Sequence, residues 1–149
     1  MKKINVVIYG ATGSIGSSTL SIISKNLDKI NIEGITCNKN ILKLLKIAKS
    51  YNVKKIGFNE KTIHKFNKFD LNKYEVFNDN TKFYSIISKK TDVIIFAASG
   101  LTSLDLLLKI LKSGKIVGIA NKECIITLGK KFVSLSKKFK TKICTITWI

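Results

Sequence analysis

Three glycines stand at positions where a chain could hold phosphate groups: Gly10, Gly13 and Gly16, in the run Gly10-Ala11-Thr12-Gly13-Ser14-Ile15-Gly16. The run follows directly on the apolar stretch 4–9 and leads into an amphipathic stretch, so it reads as a turn between a buried strand and a helix. At the start of such a helix the backbone N–H groups are unpaired and the helix dipole is positive. A pyrophosphate can therefore be held there without a charged side chain. The three glycines contribute differently. Gly10 permits the tight turn, Gly13 lets the backbone approach the phosphates, and Gly16 lets the helix pack closely on its strand. A glycine spacing alone is weak, and an ordinary strand-to-helix turn is its bland reading; the flanking residues strengthen the case.

A second set of candidates closes the next apolar run: Cys37-Asn38-Lys39-Asn40. Nucleotide-binding sheets that take NAD usually carry an acid here, about 20 residues after the glycine loop, to accept the ribose 2′-hydroxyl. This position has no carboxylate. Lys39 between two amides supplies a cation and donors suited to a 2′-phosphate, which points to NADP(H), although Lys39 can also be read as one more solvated lysine. Two further loops follow apolar runs: Ala97-Ala98-Ser99-Gly100-Leu101 and Ala120-Asn121-Lys122-Glu123. In an open parallel sheet both would lie at the carboxyl edge, where ligands bind. The amide, ammonium and carboxylate of the latter could hold a nicotinamide ribose and an anionic substrate. They read equally well as a helix start, with Asn121 as the cap, Glu123 at the positive end and Lys122 in solvent.

The elements that must position these loops alternate along the chain. Strands are expected over 4–9, 30–36, 55–58, 74–77, 93–97, 115–120 and 142–146, and helices over 14–26, 41–51, 101–111 and 125–138. Leu20, Ile23 and Leu27 should mark the inner face of the first helix, and Leu44, Leu45 and Ala48 that of the second. The least regular stretch, 59–80, should hold a short helix with Ile63 and Phe66 inward. Such alternation predicts an α/β, doubly wound, mostly parallel sheet with helices on both faces, in one domain spanning 1–149.

Composition narrows the classes. The 149 residues carry a net charge of +18, but all 27 basic residues are lysine, scattered over every expected helix. Base readout and stacking favour the arginine fork, so a specific nucleic-acid partner is not expected; salt-sensitive attraction to polyanions is. The absence of proline and the wealth of Ile, Asn and Lys point to AT-rich codons as the source of much of the charge. Cys37, Cys124 and Cys144 form an odd, widely spaced set with a single histidine, His64. They predict reduced, buried thiols, not a zinc site or a disulfide scaffold. With no leader-like start and no stretch long enough to span a bilayer, no membrane association and a cytoplasmic location are expected.

Taken together, the four loops resemble 1-deoxy-D-xylulose 5-phosphate reductoisomerase. That family shows a GxTGSIG-type loop near the N-terminus, a Lys-Asn turn after the second strand, an AxxG-Leu turn, and Ala-Asn-Lys-Glu followed by a small residue. The four occur here in the same order, covering about residues 4–142. The resemblance implies a Rossmann-like NADPH-binding domain in which Gly10, Thr12, Gly13, Ser14, Ile15 and Gly16 hold the cofactor phosphates. It implies that Asn38, Lys39 and Asn40 meet the 2′-phosphate, that Ala98, Asn121 and Glu123 contact the nicotinamide side, and that Lys122 contacts the phosphosugar substrate. It further implies a homodimer, and a reaction in which a metal-assisted rearrangement gives an aldehyde that NADPH reduces to 2-C-methyl-D-erythritol 4-phosphate, an isoprenoid precursor.

The resemblance breaks after Cys144. Where the family continues with Pro-Val-Asp-Ser-Glu-His, this chain has Thr147 in the place of the Asp and Ile149 in the place of the Glu. Neither can replace an anionic oxygen ligand for Mg²⁺ or Mn²⁺. The expectation is a truncated or frameshifted product that lacks the catalytic and C-terminal domains, binds cofactor and does not turn over. An exposed sheet edge would make it prone to self-association. Three rival readings remain. Tyr51 and Lys55 have the spacing of a short-chain dehydrogenase pair, but they end the second helix. Cys124 could be the nucleophile of a semialdehyde dehydrogenase-like NADP domain, although Glu123 beside it opposes thiolate formation. Outside the enzymes lies a non-catalytic NADP(H)-binding module or remnant. His64 reads as a surface or packing residue.

Overall fold

A computed structural model describes residues 2–59 and 71–146 of the chain. Among the described residues, short stretches that each contain β-branched side chains form seven strands: β1 Ile4–Tyr9, β2 Ile30–Thr36, β3 Lys55–Gly57, β4 Glu75–Phe77, β5 Val93–Phe96, β6 Ile116–Ile119 and β7 Lys142–Thr145. The helices are α1 Ser14–Ser24, α2 Ile41–Ser50, α3 Leu104–Leu111, α4 Lys122–Leu128 and α5 Lys130–Lys138. The sheet runs β4-β3-β2-β1-β5-β6-β7, and every pairing in it is parallel. Parallel neighbours need crossovers, and the helices that supply them cover the two faces.

β1 shows how one strand serves both faces, because successive side chains alternate across a sheet. Val6 and Ile8 join the core that holds Leu20 and Ile23 of α1 and Leu44 and Ile47 of α2. Val7 and Tyr9 join the opposite core, with Leu107, Ile110 and Leu111 of α3 and Phe132 of α5. This is the expected Rossmann-like arrangement. Its strand order reverses between β1 and β5, and ligands bind in the crevice at such a reversal. Among the described residues no helix is long and apolar enough to cross a membrane.

Several local expectations are corrected. Instead of one helix over 125–138 there are two, beginning at Lys122 and broken at Gly129, whose φ of +52° leaves the helical region. The helix expected over 101–111 opens as a 3-10 turn, Leu101–Ser103, before α3. Leu27 lies beyond the end of α1 and is 47% exposed, so it is not an inner-face residue. A 3-10 helix at Asn80–Ile86 was not foreseen. Its inward side chains, Phe83 and Ile86, are three residues apart, the period of that helix. Cys37 and Cys124 are buried as expected, but Cys144 is exposed on β7. The helix expected around Ile63 and Phe66 lies outside the described residues, as do His64, Thr147 and Ile149.

Candidate functional site: a cleft at the strand-order reversal

The glycine loop is held from two sides. Thr36 at the end of β2 accepts the Gly10 N–H on its hydroxyl at 3.0 Å and the Ala11 N–H on its carbonyl at 2.8 Å. On the other side, Ala97 donates to the Tyr9 carbonyl at 2.8 Å. Gly10 has φ +81°, and a Cβ there would stand 2.7 Å from the backbone of Ala97 and Ala98. Both its conformation and its surroundings require glycine. Gly16 is required by space alone: a Cβ would meet the Gly10 and Ala11 carbonyl oxygens at 2.5 and 2.6 Å. It thus packs the helix against its own loop and not, as expected, against the strand. Gly13 differs, since a Cβ would find only the Gly10 oxygen at 3.8 Å. The space over Gly13 is open toward the cleft, as a cradle for a ligand needs.

Gly13 is also the cap of α1. It offers no side chain, and the first turn of the helix contains no acid. The positive end of an eleven-residue helix is therefore not neutralised from within. Beside it opens a cleft of about 540 Å³, a size suited to a small-molecule ligand. Of the residues anticipated from sequence, Gly10, Thr12, Gly13, Asn38 and Ala98 line it. Ser14, Ile15, Gly16, Lys39, Asn40, Asn121, Lys122 and Glu123 do not.

The turn after β2 presents Asn38, Lys39 and Asn40 to solvent. Asn40 has a structural role, because its Oδ1 accepts the Lys43 N–H at 3.1 Å and caps α2. Burial pushes the Cys37 thiol, on the cleft wall, up to about 12, so it stays protonated.

Asn121 is 6% exposed and fully engaged. Its amide donates to the Ala98 and Gly100 carbonyls, both at 2.9 Å, and its Oδ1 accepts the Cys124 N–H at 3.0 Å. It thereby staples the loop after β5 to the start of α4. Lys122 and Glu123 begin α4 and face solvent. Cys124 is buried and its Sγ lies 3.5 Å from the Gly100 oxygen. Burial, and then the Glu123 charge, push its thiol up, the opposite of what a nucleophile needs. Tyr51 and Lys55 are likewise occupied elsewhere: Tyr51 donates to the Leu20 carbonyl at 3.2 Å, and Lys55 pairs with Glu33 at 3.1 Å.

The far wall of the cleft comes from elements that sequence reasoning did not place. Thr81, Phe83 and Tyr84 of the 3-10 helix and Ser103, Asp105 and Lys109 around α3 line it. Asp79 caps the 3-10 helix through the Thr81 N–H at 2.8 Å and the Thr81 hydroxyl. Tyr9 ties it to the sheet by donating to the Phe83 carbonyl at 2.8 Å. Burial pushes that phenol above its ordinary range, with Tyr84 and Glu33 adding to the effect, so it remains a donor. The Asp-Asn-Thr sequence of the cap was the one visible signal. Among the described residues no three His, Cys, Asp or Glu side chains converge as a metal site.

Known proteins share this geometry. The pattern of the 1-deoxy-D-xylulose 5-phosphate reductoisomerase family matches residues 6–129. The enzyme of that name from Pelagibacter ubique is 39% identical over 155 aligned residues, covering 95% of this chain and 37% of the relative. The solved structure of the Zymomonas mobilis enzyme with NADPH superimposes with a TM-score of 0.87 at 26% identity, over 98% of this chain and 39% of the other. A reductoisomerase solved with NADPH, fosmidomycin and magnesium gives 0.88 at 25% identity, over 95% and 36%. The chain thus spans less than two-fifths of the length of each.

Proposed function

Because this chain belongs to the 1-deoxy-D-xylulose 5-phosphate reductoisomerase family, we propose that it is the NADPH-binding portion of such an enzyme. The observation that carries the proposal is the crevice between β1 and β5, with an open glycine cradle at an unneutralised helix start and a lysine, not an acid, after β2. The residues fit the group. The N–H groups at the start of α1 would hold the pyrophosphate, and Asn38 and Lys39 the 2′-phosphate. Asn40 serves by capping α2. Asn121 serves by holding Ala98 and Gly100 in place at the nicotinamide end, while Glu123 and Lys122, exposed at the start of α4, would meet the nicotinamide side and the phosphosugar respectively. When bound, NADPH supplies a hydride; the chain's own residues bind and orient it.

Reduction of a deoxyxylulose phosphate, its preceding Mg²⁺- or Mn²⁺-assisted rearrangement and a homodimeric, cytoplasmic assembly belong to the same proposal. The ligands for that metal are not gathered among the described residues. The test is calorimetry at about 0.15 M salt, which screens the general attraction of a +18 chain for anions. NADPH should bind at least about tenfold more tightly than NADH, and Lys39→Met should remove most of that difference. Equal affinities, or no uptake by folded protein, refute the reading. These 149 residues should not turn over deoxyxylulose phosphate with Mn²⁺; turnover would mean that they hold the metal ligands after all.

A further inference from the structure

One lysine in contact with the glycine loop was not distinguished by sequence from the other 26. Lys43 lies in the first turn of α2, 31 residues from Thr12 in sequence, yet its Nζ donates to the Thr12 carbonyl at 2.8 Å and lies 3.2 Å from the Ser17 hydroxyl oxygen. These two acceptors bracket the cradle: Thr12 precedes Gly13, and Ser17 is in the first turn of α1. The backbone N–H of the same residue is held by Asn40. Lys43 therefore joins the two turns on which the proposed cofactor phosphates would rest.

The charge on Lys43 is also uncompensated. The ion pairs among the described residues are Lys55 with Glu33 and Lys82 with Asp79, so its half-buried ammonium rests on neutral oxygens alone. Burying a cation without a counter-ion is unfavourable, and an incoming anion relieves it. An ammonium can donate three hydrogen bonds, and two acceptors occupy it here.

We propose that Lys43 is a positioning residue that holds the glycine loop in its ligand-ready form and biases it toward anions by leaving a cation behind it. The proposal rests on the cofactor reading above, but it makes a separable claim. A strut beneath the loop serves the part common to NADPH and NADH, whereas Lys39 discriminates between them. Charge-assisted hydrogen bonds are the stronger class, so loss of this contact should weaken binding by about tenfold.

The experiment compares the parent chain with Lys43→Met, Lys43→Arg and Lys39→Met, using NADPH and NADH as the probes. Lys43→Met should raise the Kd of both by about tenfold and leave their ratio unchanged. Lys43→Arg should recover most of the loss, and Lys39→Met should lower the ratio. In the nucleotide-free protein, hydrogen exchange of the amides over 13–17 should quicken in Lys43→Met, with those of β5 and β6 unchanged. Unaltered affinity, a loss confined to NADPH, or exchange that rises throughout the molecule would each overturn the proposal. If the parent binds neither nucleotide, the cofactor reading fails, and the exchange measurement still decides whether Lys43 holds the loop.

Discussion

The staple made by Asn121 can be dissected by replacing one atom type. Asn121→Asp keeps an oxygen to accept the Cys124 N–H and so preserves the cap, but it removes both donors to Ala98 and Gly100. Asn121→Ala removes cap and staple together. A lost cap costs about 1 kcal/mol. Two lost hydrogen bonds at a buried site add about 1 kcal/mol each, giving about 3 kcal/mol for Ala. At 2–4 °C per kcal/mol for a chain of this size, the midpoint should fall by about 6–12 °C. For Asp, the new negative charge gains about 0.5 kcal/mol at the start of α4 but faces two carbonyl oxygens at the distance of a hydrogen bond. It should cost about 2 kcal/mol at neutral pH. The carbonyls favour the protonated acid, which raises its folded-state pKa. The Asp variant should therefore be closest to the parent below about pH 4 and lose ground as the pH rises from there through the raised folded-state value. Urea unfolding followed by circular dichroism measures both, with NADPH affinity as the functional reading. An Asp variant as stable as its parent at pH 7, or an Ala variant costing no more than a cap, would refute the staple.

Gly10→Ala should cost at least about 2 kcal/mol and abolish nucleotide binding, because it combines a left-handed φ with a 2.7 Å clash against backbone; thermal melts with a nucleotide titration check it, and a stable, binding variant would contradict the geometry. Burial pushes the Glu33 carboxyl up, but hydrogen bonds from Ser88, Thr91 and Lys55, with the charge of Lys55, outweigh it and hold the carboxyl below its ordinary 4.5. Its contribution is therefore present above pH 4.5 and disappears as the pH falls through the lowered value, and Glu33→Gln should flatten that part of the pH–stability curve. A thiol reagent at pH 8 should modify one cysteine rapidly in the native protein, Cys144, and three after denaturation; two rapid sites would show that Cys37 or Cys124 is less protected than its burial indicates.

The strands were legible because apolar β-branched runs such as 4–9 and 93–97 have few alternatives, and the glycine loop because its spacing sits between a strand and a helix. Boundaries were less so. Ile125, Leu128, Phe132 and Leu135 keep helical spacing across Gly129, so periodicity reads one helix where a single backbone dihedral makes two. The ambiguity over Asn121 was real in sequence, and the fold shows its cap and its staple: both amide donors and one acceptance on Oδ1 go to backbone. Lys43 could not be found at all, since nothing local marks it and its partners are set by how α2 packs beside the glycine loop. The 3-10 wall was hidden for a similar reason, as its burial rests on Tyr9, 74 residues from Phe83.

At the ends of β1 and β5 the backbone of Gly10 meets that of Ala97 and Ala98 with no room for a Cβ between them. Even a single methyl group at Gly10 would force that gap open. The width a dinucleotide would encounter there depends on the side chain that is missing at one position.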